Sequence, residues 1–255
     1  MKARSPSLSI PTKRSKSRRA APNAGETWTV RRVLAELKRR GTRRNVEGMA
    51  RFGIRVTKVY GVPTPALQAL ARKIGKNHAL GLALWDTGIH DAKALAGLIC
   101  DPRQVTAALM EQWGRDFENW ADCDGACCHL FALAAPAWDK ALAWTCRELE
   151  FEKRAGFALA AYLAVHDKAA ADEQFERFLA AIERESADER NFVKKTVNWA
   201  LRSIGKRNKS LNRHAIACAE RIREKGTRAS RWIAADALRE LRSETVQTRL
   251  RRAHK

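Results

Sequence analysis

From Thr27 onward apolar residues recur at intervals of three and four, the period of one face of a helix. Val30, Val33, Leu34 and Leu37 set the first such stripe, which Gly41 closes, with Thr42 placed to cap the next helix. The segment Tyr60-Gly-Val-Pro-Thr-Pro65 reads as a turn, with Thr64 as cap and Pro65 as first helical position. The same period predicts helices over about 65–74, 77–86, 89–99, 102–116, 119–132, 136–147, 149–165, 170–184, 189–205, 209–224 and 230–242. Asp101-Pro102 opens the fourth of these. No stretch alternates as a strand over any length. Helices of similar size joined by short connections predict stacked helical pairs with a period of roughly 35–45 residues, an all-α, curved HEAT-like solenoid whose concave side is an extended binding surface.

Charge narrows the partner. Lys and Arg total 49 against 28 acidic residues, a formal net charge of +21. Such an excess opposes compaction and attracts polyanions, nucleic acid first and an anionic membrane second. Residues 1–25 carry seven of the cations and no acid, among several Ser and Pro, and are expected to be a solvated, disordered basic tail. The tail would lie along DNA, serve as an address, or be a variable extension without a specific role. The remainder, residues 26–255, still holds +14, so the basic character is not confined to the tail. No run approaches the ~18 apolar residues of a membrane span, and the N-terminus has no apolar signal region. Cys100, Cys123, Cys127, Cys128, Cys146 and Cys218 lie in apolar helical contexts, which suits a reducing, cytoplasmic setting better than a disulfide framework.

Two segments carry candidate chemistry. In Trp113 to Asp124, WGRDFENWADCD, Trp120 and Asp124 are four apart and share a face if the stretch is helical. An indole attracts cations through its π face, and a carboxylate stabilises developing positive charge. The pair suits a cationic ligand or a reaction that makes a cation; the plain alternative is a core Trp beside a capping Asp. In Glu189 to Asn208, the residues Lys195, Trp199, Arg202 and Lys206 form one stripe at helical spacing, three cations around an aromatic platform as a phosphate-contacting face requires. A solvated basic face with a half-buried Trp is the alternative. Arg154 lies at the start of an apolar helix, free to reach phosphate or to be solvated. Cys123, Cys127, Cys128 and His129 cluster without a metal-ligand spacing and read as buried thiols. His90-Asp91 reads as capping and packing a turn. No Walker loop, HExxH, GxSxG or nucleotide fingerprint is present.

Five segments in order resemble one family: Tyr60-Gly-Val-Pro63, Trp85-Asp-Thr-Gly-Ile-His-Asp-Ala-Lys-Ala-Leu-Ala96, Trp120-Ala-Asp-Cys-Asp124, Lys153-Arg-Ala-Gly-Phe157 and Asn191-Phe-Val-Lys-Lys-Thr-Val-Asn-Trp-Ala-Leu-Arg202. Together they are similar to the AlkD-like DNA alkylation-repair glycosylases over about residues 30–243. The resemblance implies a HEAT-like solenoid holding duplex DNA on a basic concave face, and hydrolytic removal of N3- and N7-alkylated purines. It places the catalytic carboxylate on Asp124, with Asp122 as the nearby competitor, the lesion-facing indoles on Trp120 and Trp199, and the phosphate-contacting Arg on Arg154. Gly48 and Pro63 stand where some members carry a Tyr and a Gln, which bears on lesion preference and turnover. The expected partner is duplex DNA with alkylated bases, met by a monomer without cofactor, metal or membrane. The alternatives are a non-catalytic protein that binds branched or damaged DNA, which the family also contains, and a protein–protein scaffold, which the charge argues against.

Overall fold

The computed structural model describes residues 27–252; the expected tail lies outside them. Among the described residues there are fourteen α-helices and no strand: α1 (Val30–Arg40), α2 (Arg43–Arg51), α3 (Thr64–Ile74), α4 (His78–Trp85), α5 (His90–Ile99), α6 (Ala107–Arg115), α7 (Trp120–His129), α8 (Ala137–Trp144), α9 (Glu150–His166), α10 (Asp172–Glu185), α11 (Asn191–Gly205), α12 (Lys209–Glu224), α13 (Arg228–Leu241) and α14 (Glu244–Arg252). The expected all-α array of stacked helical pairs is therefore what the chain forms. Successive odd-numbered helices from α3 to α13 pack on one another as one layer, while α8, α10 and α12 pack in series behind them. No described helix is long and apolar enough to cross a membrane.

Local chemistry sets most boundaries. Thr29, Thr42, Asn77, Thr106, Asn119, Asn208 and Thr227 each turn a side-chain oxygen onto a free N–H of the first turn. The structure corrects the pattern at four places. Thr64 is the first residue of α3 rather than its cap; Pro63 takes the cap position and Pro65 sits inside the first turn, where its missing N–H costs nothing. The single helix expected over 102–116 is divided, because Pro102–Gln104 closes a 3-10 turn on Asp101 and Thr106 then caps α6 afresh. The helix expected to run to 132 ends at His129, followed by a 3-10 turn at Phe131–Leu133. Helix α14 was not expected: it buries only Val246 and Leu250, too few positions to register as a stripe.

At the centre lies α9, whose residues from Arg154 to Ala164 are buried except for Tyr162. It is built from small residues because its neighbours come very close. A Cβ added at Gly156 would lie 2.6 Å from the Thr145 backbone nitrogen and 2.8 Å from the Ala141 carbonyl. Large aromatics fill the space between the earlier pairs: Trp85 and Trp113 stack with ring centroids 3.8 Å apart.

Asp91, in the first turn of α5, is 1% exposed. Its carboxylate accepts the N–H groups of Tyr60 (2.6 Å), Gly61 (3.3 Å) and Val62 (2.7 Å). One carboxylate thus satisfies three donors of the turn that leads into α3, as the capping role expected for the His90-Asp91 pair requires of Asp91. Asp91→Ala should leave those donors stranded and cost about 2–3 kcal/mol, read by denaturant unfolding; a loss well below ~1 kcal/mol would contradict the latch.

Candidate functional site

Helix α7 begins where Asn119 accepts the N–H groups of Ala121 (2.9 Å) and Asp122 (3.0 Å). That start puts Trp120 in the first turn and Asp124 one turn later on the same face. Both border a cavity of about 360 Å³, together with Tyr162, Cys128, His129 and His90. The Trp120 indole N–H donates to the Phe52 carbonyl at 2.9 Å, so one edge of this tryptophan is fixed by the loop after α2.

The two aspartates of α7 have different surroundings. Asp122 is 5% exposed and points behind the cavity wall. It accepts from Asn119 Nδ2 at 2.9 Å, lies 2.6 Å from His90 Nδ1, and has the Lys93 ammonium at 3.9 Å. Its oxygens are engaged in tying α5 to α7. Asp124 faces the cavity.

Arg154 is neither solvated nor free for phosphate, and on this point the expectation needs correcting. Its Nε and Nη2 donate to Asp124 Oδ1 (2.9 Å) and Oδ2 (2.7 Å), and its Nη1 donates to the Phe192 carbonyl at 2.8 Å. The side chain is 9% exposed against 17% for Asp124, and Asp124 borders the cavity while Arg154 does not. Burial alone would lower the Arg154 pKa; the two bonds to Asp124 outweigh it and leave the guanidinium above its ordinary value. The guanidinium carbon also lies 5.9 Å from the Trp120 ring centroid. Arg154 therefore positions the carboxylate, and its fork geometry fixes both oxygens at once.

On α11, Trp199 packs edge-on to Tyr162, with centroids 5.0 Å apart at 83°. Its neighbours in the basic stripe are not equally available. Arg202 pairs with Glu240 and lies 3.5 Å from Asp236, and Lys206 reaches Glu240 at 2.5 Å. These partners on α13 depart from the open stripe expected from spacing alone. Lys195 is exposed with no carboxylate partner among the described residues.

Tyr162 was not anticipated as part of the site. It lies on the face of Arg154 two turns further along α9, a signal visible only once Arg154 is known to face inward. Burial first, then the neighbouring Cys128 thiol, pushes its phenol pKa up, and burial likewise raises the Cys128 thiol. Burial, then the Lys76 charge, lowers His129. Among the described residues no group of three or more His, Cys, Asp or Glu side chains is placed to hold a metal.

A family model described as DNA alkylation repair enzyme matches residues 33–241, most of the chain. The chain belongs to the DNA alkylation repair enzyme family. A solved structure described as a new family of proteins related to the HEAT-like repeat DNA glycosylases, with affinity for branched DNA structures, is similar in fold. Its TM-score is 0.72, covering 88% of this chain and 96% of that one at 21% sequence identity, a likeness of fold alone. No curated protein matches. Within this alkylation-repair fold, Asp91, Trp120, Asp124, Arg154 and Trp199 all stand on the layer of odd-numbered helices.

Proposed function

We propose that this alkylation-repair family member is a monofunctional DNA glycosylase that hydrolyses the N-glycosidic bond of cationic N3- and N7-alkylated purines in duplex DNA. The observation that carries the reading is Asp124: a carboxylate gripped at both oxygens by Arg154, on the wall of a cavity shared with Trp120 and Tyr162.

Alkylation at N3 or N7 gives the base a positive charge, so it leaves as a neutral molecule and needs no proton. The deoxyribose left behind gathers positive charge at C1′. A fixed carboxylate stabilises that charge without reorganising at the moment of bond cleavage. The ion pair presents its negative end to the cavity, because Asp124 is the partner that borders it. The same carboxylate would position the water that attacks C1′. Trp120 and Trp199 supply π faces that favour a cationic lesion over a neutral base. Exposed Lys195 serves the phosphate backbone; Arg202 and Lys206 would join it by exchanging Glu240 for phosphate. Such a site acts on bonds already weakened by charge.

The test is release of 7-methylguanine and 3-methyladenine from methylated duplex DNA by the full chain. A second reading, a non-catalytic binder of branched or damaged DNA, has the described affinity of the similar solved structure in its favour. It predicts no base release but tight binding to a DNA junction. In either case affinity should fall steeply with salt. With several phosphates neutralised, log K against log salt should slope by about −0.9 for each. A flat response between 50 and 200 mM salt, the range over which such contacts show, would overturn DNA binding by this face.

A further inference from the structure

Among the described residues the most exposed large apolar side chain is Phe52, 72% exposed at the end of α2. Its backbone is anchored on several sides. The Phe52 N–H donates to Met49 (3.0 Å), that of Gly53 to Ala50 (3.0 Å), and that of Ile54 to Met49 (3.1 Å). The Phe52 carbonyl accepts the Trp120 indole N–H. Gly53, at φ 80°, lies so close to Phe192 that an added Cβ would sit 2.9 Å from its ring. The phenyl group is therefore held out by a fixed turn.

Exposure alone does not mark a site, since single surface apolar residues are common. Charge and place distinguish this one. Arg44, Arg51 and Arg55 around it are exposed and have no carboxylate partner among the described residues. Leu149, 60% exposed, stands instead between Glu148 and Glu150, the wrong sign for a phosphate backbone. Phe52 and Trp120 together line a cavity of about 780 Å³. Trp120 also lines the cavity of Asp124, so the cavity of Phe52 and that of the candidate chemistry meet at this indole.

We propose that Phe52 is a stacking wedge for DNA: its ring enters the base stack beside the nucleotide presented to Asp124, while Arg44, Arg51 and Arg55 hold the flanking phosphates. The inference rests on the DNA-binding part of the proposed function and holds whether or not a base is excised. Apolar side chains inserted at a base step unstack it and bend the duplex, and a fixed aromatic ring does so with little entropy to lose. A step beside a damaged or missing base, or at a junction, is the easiest to open.

The full chain is titrated into a duplex carrying 2-aminopurine next to a tetrahydrofuran abasic-site analogue. Binding by the wild type should raise 2-aminopurine fluorescence as the base unstacks. Phe52→Ala, at an exposed position that does not endanger folding, should abolish the rise and weaken binding about tenfold, with the salt slope unchanged. Phe52→Trp should restore both. Arg51→Ala with Arg55→Ala should lower the salt slope by about 2 and keep the rise. A Phe52→Ala variant that binds as tightly with the same rise, or a wild type that binds without one, overturns the wedge while leaving the proposed function standing. A wild type that binds neither this duplex nor any other overturns both.

Discussion

Asp124→Asn is expected to slow release of 7-methylguanine about 100- to 1,000-fold while duplex affinity stays as it was. The substitution keeps the shape of the side chain and one acceptor for Arg154, and removes the negative charge that the cavity wall offers to C1′. Because Arg154 is buried and loses its counter-charge, stability should also fall, by about 1.5–3 kcal/mol, so single-turnover rates are compared well below the variant's unfolding temperature, with circular dichroism confirming the fold. The neighbouring Asp122→Asn provides the contrast: it disturbs the contact with His90 and should affect stability more than the chemical step. Undiminished release by Asp124→Asn would remove this carboxylate from the mechanism. Equal losses of rate in both variants would point to a shared structural effect.

The largest stability effect should come from Arg154→Met. The guanidinium satisfies both Asp124 oxygens and the Phe192 carbonyl, spanning α7, α9 and the start of α11. Removing it strands a carboxylate that is 17% exposed and a main-chain acceptor. Breaking a buried pair from one side costs about 3–5 kcal/mol, which for a chain of this size lowers Tm by roughly 10 °C. Arg154→Lys should recover little, since an ammonium cannot span both oxygens as the fork does. The double variant Arg154→Met/Asp124→Asn should be more stable than the summed losses imply, by about 1–3 kcal/mol of coupling. Additive losses in that cycle would show that the two side chains act independently, against the geometry.

The fold was legible because helical spacing repeats almost without interruption, and its misses have local causes. A proline and a threonine each restart the chain between 102 and 107, where the apolar pattern runs on regardless. Helix α14 packs through two residues only. The juxtaposition of Trp120 and Asp124 was legible too, since both lie on one helix. What could not be read was anything set by approach between helices. Asp124 and Arg154 are 30 residues apart, and nothing in either segment says that one will grip the other. The same holds for Glu240 on α13, which reaches back to Arg202 on α11 and to Lys206 just after it, and for Asp91, whose three donors come from a turn 29 to 31 residues earlier. Phe52 is not legible in the sequence, because a lone apolar residue after an arginine-rich helix has no periodic context; only its anchored backbone and its exposure give it meaning.

The pairing of Arg202 and Lys206 with Glu240 bears on how a DNA strand would be sorted from other polyanions. These two cations come with an internal counterion. Seen from afar their charge is partly cancelled, so each adds less to the long-range pull that would bring the chain to DNA than Lys195 and the open arginines of α2. At contact, a phosphate has to displace a carboxylate that already fits. A phosphate bound here still sheds its condensed cations, so the contact keeps its share of the salt slope, but the pairing lost with Glu240 leaves it weak unless the fit is close. The face would then act in two stages, with open cations for capture and paired cations for inspection, and only a backbone that follows the line of α11 closely enough to evict Glu240 would pass the second.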